Sequence, residues 1–346
     1  MPRPVTAPAS SPAPLPRRPA LVGGDAPSRN ESARNAGTAL DLDLVRAIRI
    51  NRSAVERRAA TLPARRTVKK QWQAAWLLRA LSCIDLTTLA GDDTPGNVIR
   101  LCQKARRPMR DDIVAALGVD HMGITVAAVC VYHALVPTAV AALRGSGIPV
   151  AAVSAGFPAG LNPLPQRIAE IEASVAAGAS EIDVVITRGH VLTGNWRALY
   201  DEVRCFRDAC GAAHMKTILG TGDLATLTNV ARASAVAMMA GSDFIKTSTG
   251  KEPENATLPV GIVMVRAIRA YSEQTGYAVG FKPAGGIRTA RTSLDWLALI
   301  KEELGNDWLS AHRFRLGASG LLTDIERQLE HHVTGRYAAA WRQPMP

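Results

Sequence analysis

Short runs of apolar, largely β-branched residues alternate along the chain with longer stretches whose apolar positions recur every three or four residues. The short runs predict strands over Ser82–Leu86, Ile124–Val131, Pro149–Ser154, Glu181–Ile186, Met215–Leu219, Phe244–Lys246, Val279–Lys282 and Phe314–Leu316. The longer ones predict helices over Thr94–Arg106, Thr138–Arg144, Leu164–Ala177, Trp196–Gly211, Leu224–Met239, Leu258–Glu273, Thr289–Glu303 and from Gly320 to about His331. Eight strand–helix units in roughly 250 residues have the size and rhythm of an α/β protein of the (β/α)8 TIM-barrel class. A doubly wound sheet shares the alternation, but no GxGxxG follows the first strand. The apolar stretch Ile124–Leu143 is interrupted by His133 and Pro137 and splits into a strand and a helix, which argues against a membrane span.

Ahead of the barrel, Leu40, Leu42, Leu44, Val45, Ile48 and Val55 recur near helical spacing, and a second helical stretch covers Gln71 to Leu81. The basic run Arg65-Arg66-Thr67-Val68-Lys69-Lys70 reads as a solvated link between them, with a basic docking patch as the sharper alternative. Residues 1–38 hold eight of the 21 prolines, mixed with Ala, Ser, Arg and Gly, a composition that buries too little apolar surface to offset its ordering entropy. The chain is therefore expected to comprise a disordered head over 1–38, a helical extension over 39–80, the barrel over 81–335 and a tail over 336–346. The head lacks the apolar run of a secretory signal, and its prolines spoil the amphipathic helix of a transit peptide.

Composition narrows the function class. Of the formal net charge of +11, +9 falls in residues 1–70, so the barrel is nearly neutral and a nucleic-acid enzyme is disfavoured. The five cysteines are scattered with no CxxC pair, which disfavours a disulfide framework or a cysteine zinc site and suits a cytoplasmic protein. The seven histidines show no HxxxH or HxH spacing, so no metal is expected.

Ionisable residues gather on the predicted strands. Asp85 ends the first, Cys130 the second, Asp183 lies in the fourth, Lys216 begins the fifth, Lys246 ends the sixth and Lys282 the seventh. Three lysines and two aspartates on one set of strands are hard to explain as packing, because burying unpaired charge is costly. An amine between the apolar strand Phe244-Ile245 and the loop Thr247-Ser248-Thr249-Gly250 is partly desolvated, which disfavours its ammonium form. A second cation such as Lys282 pushes the same way. A neutral lysine can attack a carbonyl to form a Schiff base, whose protonated form lets a neighbouring carbon–carbon bond break or form. Asp183 can accept and return the protons. Gly285-Gly286 after strand seven and Gly317-Ala318-Ser319-Gly320 after strand eight stand where such barrels bind phosphate, with Lys251 nearby.

At these residues the chain resembles the deoxyribose-phosphate aldolases, metal-independent class I aldolases with a (β/α)8 barrel. The matching segments run in order: Cys83-Ile84-Asp85-Leu86-Thr87, Ala128-Val129-Cys130-Val131-Tyr132, Gly156-Phe157-Pro158-Ala159-Gly160, Glu181-Ile182-Asp183-Val184-Val185, Met215-Lys216-Thr217-Ile218-Leu219, Phe244 to Gly250, and Phe281-Lys282-Pro283-Ala284-Gly285-Gly286-Ile287. The resemblance spans about Leu40 to the C-terminus. It implies that Lys246 forms the Schiff base, Lys282 perturbs it, and Asp183 relays protons. It implies further that Asp85, Cys130 and Lys216 line the substrate cavity, and that Thr249, Gly250, Lys251, Gly285, Gly286, Ser319 and Gly320 hold the phosphate. The implied reaction is reversible cleavage of 2-deoxy-D-ribose 5-phosphate to D-glyceraldehyde 3-phosphate and acetaldehyde, in deoxynucleoside breakdown. Small molecules are the implied partners, with no cofactor, nucleic acid or membrane, and a homodimer is allowed for.

Two positions depart from the short members of the family: Gly220, where an acidic residue is often found, and Gly320, where a second serine is common. Short members also often end in a tyrosine that reaches the active site, whereas here the chain runs past Tyr337 to Pro346. The competing readings are a metal-dependent aldolase, a sugar-phosphate isomerase on a similar phosphate-binding barrel, and an inactive barrel acting as a scaffold through its basic extension. The isomerase would leave the two motif lysines without a purpose.

Overall fold

The computed structural model describes residues 34–65 and 67–343. Its centre is a sheet of eight parallel strands: β1 (Ile84–Thr87), β2 (Ala128–Tyr132), β3 (Val150–Ser154), β4 (Glu181–Val185), β5 (His214–Ile218), β6 (Phe244–Lys246), β7 (Gly280–Lys282) and β8 (Leu316–Ala318). Neighbours in sequence are neighbours in the sheet, and β8 returns to pair with β1. The seam between β7 and β8 is closed by parallel bridges at Phe281–Phe314 and Ala284–Gly317. This is the (β/α)8 barrel that the alternation predicts.

Strand boundaries shift by up to four residues, and two of the shifts follow from the ladder register. The second strand starts at Ala128, not Ile124, because Ala128 is the first residue with a ladder partner, Asp85 on β1. The eighth is displaced to Leu316–Ala318, where Ile84, Asp85 and Leu86 supply its partners. The short helices Asp111–Leu117 and Arg188–Leu192 were not predicted, each being too brief to show a helical period.

Side chains two apart on a strand share a face, and the two faces of this sheet differ sharply. The outward face, with Ile84, Leu86, Val129, Val131, Ile182, Val184, Met215, Ile245 and Phe281, packs under the helices in one apolar layer. The inward face carries Asp85, Glu181, Asp183, Lys216, Lys246, Lys282 and Arg315, all buried. On β2 and β3 the interior is apolar, where Cys130, Ala151 and Val153 form a small cluster edged by Leu89, Tyr132 and Phe157. A barrel interior is normally filled by layers of apolar branched side chains; this one is filled by ions.

The extension forms three helices, α1 (Leu42–Ala47), α2 (Arg52–Arg65) and α3 (Lys70–Leu81). The break between α1 and α2 has a local cause: Ile48 is extended, and the Asn51 side chain accepts from the Ala54 amide at 3.0 Å to start a new helix. α2 packs on the helix Leu258–Thr275, and α3 on the helices Ala290–Leu304 and Gly320–Thr334. The basic run separates α2 from α3, Arg66 lying outside the described residues.

Of the predicted head, residues 1–33 lie outside the described residues, and residues 34–38, which the composition placed in it, are packed. Asn35 is buried and donates to the Met238 and Ser242 carbonyls at 2.8 and 2.9 Å, and the Thr38 amide donates to Met239 at 2.8 Å. Met238 and Met239 end the helix Leu227–Met239 and Ser242 follows it, so this segment is held against the helix C-terminus. Among the described residues no helix is long and apolar enough to cross a membrane.

Candidate active site

The ladder register lines up the predicted catalytic residues across neighbouring strands: Asp183 on β4 lies opposite Lys216 on β5, and Lys246 on β6 opposite Lys282 on β7. Asp183 is the hub. Its Oδ2 accepts from Lys246 Nζ and from Lys282 Nζ, each at 2.7 Å, and its Oδ1 accepts from Lys216 Nζ at 2.9 Å. Lys282 Nζ also lies 2.6 Å from Asp85 Oδ2, an ion contact outside hydrogen-bond geometry. Lys216 Nζ donates to Glu181 Oε2 at 2.5 Å. Below the lysines, Arg315 donates to Asp85 Oδ1 at 2.5 Å and to the Glu181 oxygens at 3.1 and 2.7 Å.

These contacts sort the protonation states. Burial works against the charge on Asp183, but Lys216, Lys246 and Lys282 together hold its carboxyl well below the usual range. Burial likewise opposes ionisation of Asp85 and Glu181, and their cationic neighbours outweigh it. Lys282 is desolvated too, yet Asp183 and Asp85 raise it above an ordinary lysine; Asp183 and Glu181 do the same for Lys216. Lys246 goes the other way. Burial lowers it, Asp183 only partly compensates, and the Lys282 ammonium adds to the lowering. The amine is thus singled out by having one carboxylate contact and a cation sharing that carboxylate oxygen. Cys130 is buried, and burial followed by the Asp183 charge pushes its thiol up, so it lines the cavity as a neutral group.

The loops after β6, β7 and β8 adjoin at the C-terminal rim. The Ala284 amide donates to Thr247 Oγ1 at 3.0 Å, tying the β7 loop to the β6 loop. Gly285, at φ +82°, backs onto Asn255 so closely that a Cβ would stand 2.6 Å from its Cγ. Gly250, Lys251, Gly286, Ser319 and Gly320 are exposed on this rim. The helix Gly320–Thr334 starts with no side-chain cap, leaving its first amides available. Thr249 and Gly250 are engaged differently from the expectation. Their amides donate to the carboxylate of Glu252 at 3.0–3.1 Å and Thr249 Oγ1 donates to it at 2.7 Å, so the anion they hold here is the protein's own. Glu252 is braced in turn by Arg188 Nη2 at 3.1 Å, and Arg188 Nε lies 3.0 Å from Asp223. This explains Gly220: Arg188 crosses directly over its Cα, where a Cβ would collide with the guanidinium. Tyr337 is 60 % exposed and stacks on His331, with ring centroids 4.2 Å apart.

Residues 79–321 match the family described as DeoC/LacD family aldolase. The chain belongs to that family. It is 63% identical over 316 residues to the deoxyribose-phosphate aldolase of Homo sapiens, covering 91% of this chain and 99% of the human protein. A crystal structure from Toxoplasma gondii ME49 superposes with a TM-score of 0.63 at 20% identity, covering 78% of this chain and 99% of that one. The tetrameric deoxyribose phosphate aldolase of Aeropyrum pernix gives 0.54 at 21% identity, covering 77% and 97%. These two structural likenesses bear on the fold alone.

Four residues of this DeoC/LacD aldolase site escaped the sequence reading. Glu181 stands two before Asp183 and therefore shares its inward face, a signal that was available. Arg315 sits between Phe314 and Leu316, and a lone charge in a predicted strand reads equally well as a snorkelling side chain. Glu252 lies on the loop after β6 and Arg188 opens the short helix Arg188–Leu192, and the two meet only in the folded chain. Among the described residues no group of three or more His, Cys, Asp or Glu is arranged to hold a metal ion.

Proposed function

We propose that the protein catalyses the reversible retro-aldol cleavage of 2-deoxy-D-ribose 5-phosphate through a Schiff base on Lys246. The observation that carries this is the contrast among the three lysines: two are locked as ammonium ions by carboxylate pairs, and Lys246 alone is held toward its neutral form.

Neutral Lys246 attacks the C1 aldehyde carbon of the open-chain sugar, and the carbinolamine loses water to give an iminium. The iminium withdraws the electrons of the C2–C3 bond as the C3 hydroxyl loses its proton. D-glyceraldehyde 3-phosphate leaves, and an enamine of the two remaining carbons stays on Lys246. Protonation at C2 and hydrolysis release acetaldehyde and restore the amine. Asp183, kept ionised by the Lys216 and Lys282 ammonium groups, passes protons on rather than storing them, and the Lys282 ammonium, 2.7 Å from its Oδ2, is the adjoining donor. The apolar sector of Cys130, Ala151 and Val153 offers the two-carbon fragment a dry wall.

The chemistry is expected to need no metal, because the carboxylates of the interior are already paired with lysine and arginine. The five cysteines are free thiols, in keeping with a reducing cytoplasm. An isomerase would use one carboxylate base and leave the asymmetry among the lysines unexplained.

Borohydride reduction in the presence of acetaldehyde, followed by peptide mapping, is the test. A reduced two-carbon adduct on Lys246 is expected; an adduct confined to Lys282, or none, rejects the reading.

The rim geometry adds a second expectation. Glu252→Gln removes the charged acceptor that orders the Thr249–Gly250 amides, and such bonds contribute about 1.5 kcal/mol or more, roughly tenfold in the population of the ordered loop. KM for 2-deoxyribose 5-phosphate should rise by about that factor with kcat little changed, while KM for unphosphorylated 2-deoxyribose stays put. Equal changes for both sugars would separate this loop from phosphate binding.

A further inference from the structure

The charged side chains inside the barrel do not balance if all of them ionise. Among the described residues the interior holds three carboxylates, Asp85, Glu181 and Asp183, and four cations, Lys216, Lys246, Lys282 and Arg315. All are buried, so solvent counter-ions cannot make up a difference cheaply. Neutrality requires that one cation give up its proton. Arginine cannot do so at ordinary pH. Lys282 and Lys216 each contact two carboxylates within 3 Å, while Lys246 contacts one.

We propose that the Arg315–Glu181 ion pair is a positioning device that sets this charge count, so that Lys246 remains an uncharged amine. The inference rests on the Schiff-base role of Lys246. Arg315 and Glu181 act through other groups: Arg315 neutralises one oxygen of Asp85 while Lys282 takes the other, and Glu181 holds one side of Lys216 while Asp183 holds the other. Lys246 itself faces Asp183 from β4, Lys282 from β7 and Cys130 from β2, and it shares Asp183 with Lys216 of β5. Arg315 faces Asp85 on β1, Glu181 on β4, the Phe244 ring on β6 at 5.7 Å and the Ala311 carbonyl. His214 on β5 lies opposite Glu181, and burial lowers its pKa, so it adds no charge near neutral pH. Asp243, at the start of β6, is taken up by Arg207 and Arg34.

Charge parity makes opposite demands on the two members of the pair. Without Arg315, three carboxylates face three lysines, and Lys246 completes the balance by holding its proton. Without Glu181, two carboxylates face three other cations, and Lys246 sheds its proton more readily.

The experiment is the pH profile of kcat/KM, whose acidic limb reports protonation of the free enzyme's nucleophile. For Arg315→Met the limb should move up by about one pH unit or more, which is a tenfold or greater loss on that limb. For Glu181→Gln it should move down by a similar amount. The double variant restores the count and should return the limb to near its wild-type position, a coupling that independent structural damage would not produce. Arg315→Lys keeps the charge and should leave the limb in place, providing a reading even if Arg315→Met does not fold. Shifts in the same direction, no shift in either single variant, a double variant that merely adds the two losses, or a moved limb in Arg315→Lys would each overturn the proposal. Borohydride trapping on the wild-type enzyme separates the two levels. With no Lys246 adduct the Schiff-base reading fails; with an adduct and unmoved profiles only the role of the pair fails.

Discussion

Replacing Lys246 with Met is expected to remove turnover, by on the order of 10⁴-fold or more, while leaving the protein as stable as before or slightly more so. The two halves of this expectation come from one geometry. Of the three interior lysines it is the one held toward the neutral, nucleophilic form, since Lys216 and Lys282 are held as ammonium ions. Yet its removal orphans nothing, because Asp183 retains Lys216 at 2.9 Å and Lys282 at 2.7 Å. The remaining interior has equal numbers of positive and negative groups, and a buried amine has been exchanged for a thioether that needs no partner. Steady-state assays together with thermal unfolding decide the matter. Appreciable turnover contradicts the mechanism, and a large fall in Tm contradicts the electrostatic reading.

Asp183→Asn, one hydrogen bond away, should behave in the opposite manner toward stability. Three lysines share this carboxylate, and an amide leaves the Lys216 and Lys282 ammonium groups to repel one another with one counter-ion fewer. Breaking a buried ion cluster by removing one partner costs about 3–5 kcal/mol, and loss of the proton relay should lower turnover by about 10²–10⁴-fold. Denaturant unfolding of both variants side by side gives the sharpest comparison. Their nitrogen and oxygen lie 2.7 Å apart in the native protein, yet one substitution should be nearly silent in stability and the other severe. A mild effect of Asp183→Asn on unfolding would mean that the lysines find other partners.

The contrast between legible and illegible residues follows the range of the interactions. Asp85, Asp183, Lys216, Lys246 and Lys282 could be found because each stands in or at the end of an apolar run, where a charge conflicts with its surroundings. The glycine loops could be found because a loop's order along the chain gives its place on the barrel rim. Glu252 could not be assigned this way. Its carboxylate caps amides two and three residues earlier, a turn that Glu252-Pro253 does not announce, and its brace, Arg188, comes from 64 residues away. Asn35 shows the same limit at the head: a Pro- and Ala-rich composition describes average burial, whereas one amide side chain matched to the carbonyls of Met238 and Ser242 is a specific fit.

Local periodicity, read along the chain alone, determined the alternation of strands and helices and the barrel class, and charges set in apolar runs marked the candidate lysines and aspartates. These depend on neighbours within a few residues, and the chain carries them wherever it goes. Which charges meet inside was decided only by closure of the sheet. Arg315 reaches Glu181 across 134 residues and Asp85 across 230, because β8 comes round to lie beside β1. The balance of ions around Lys246 is a sum over six strands, and no segment contains it.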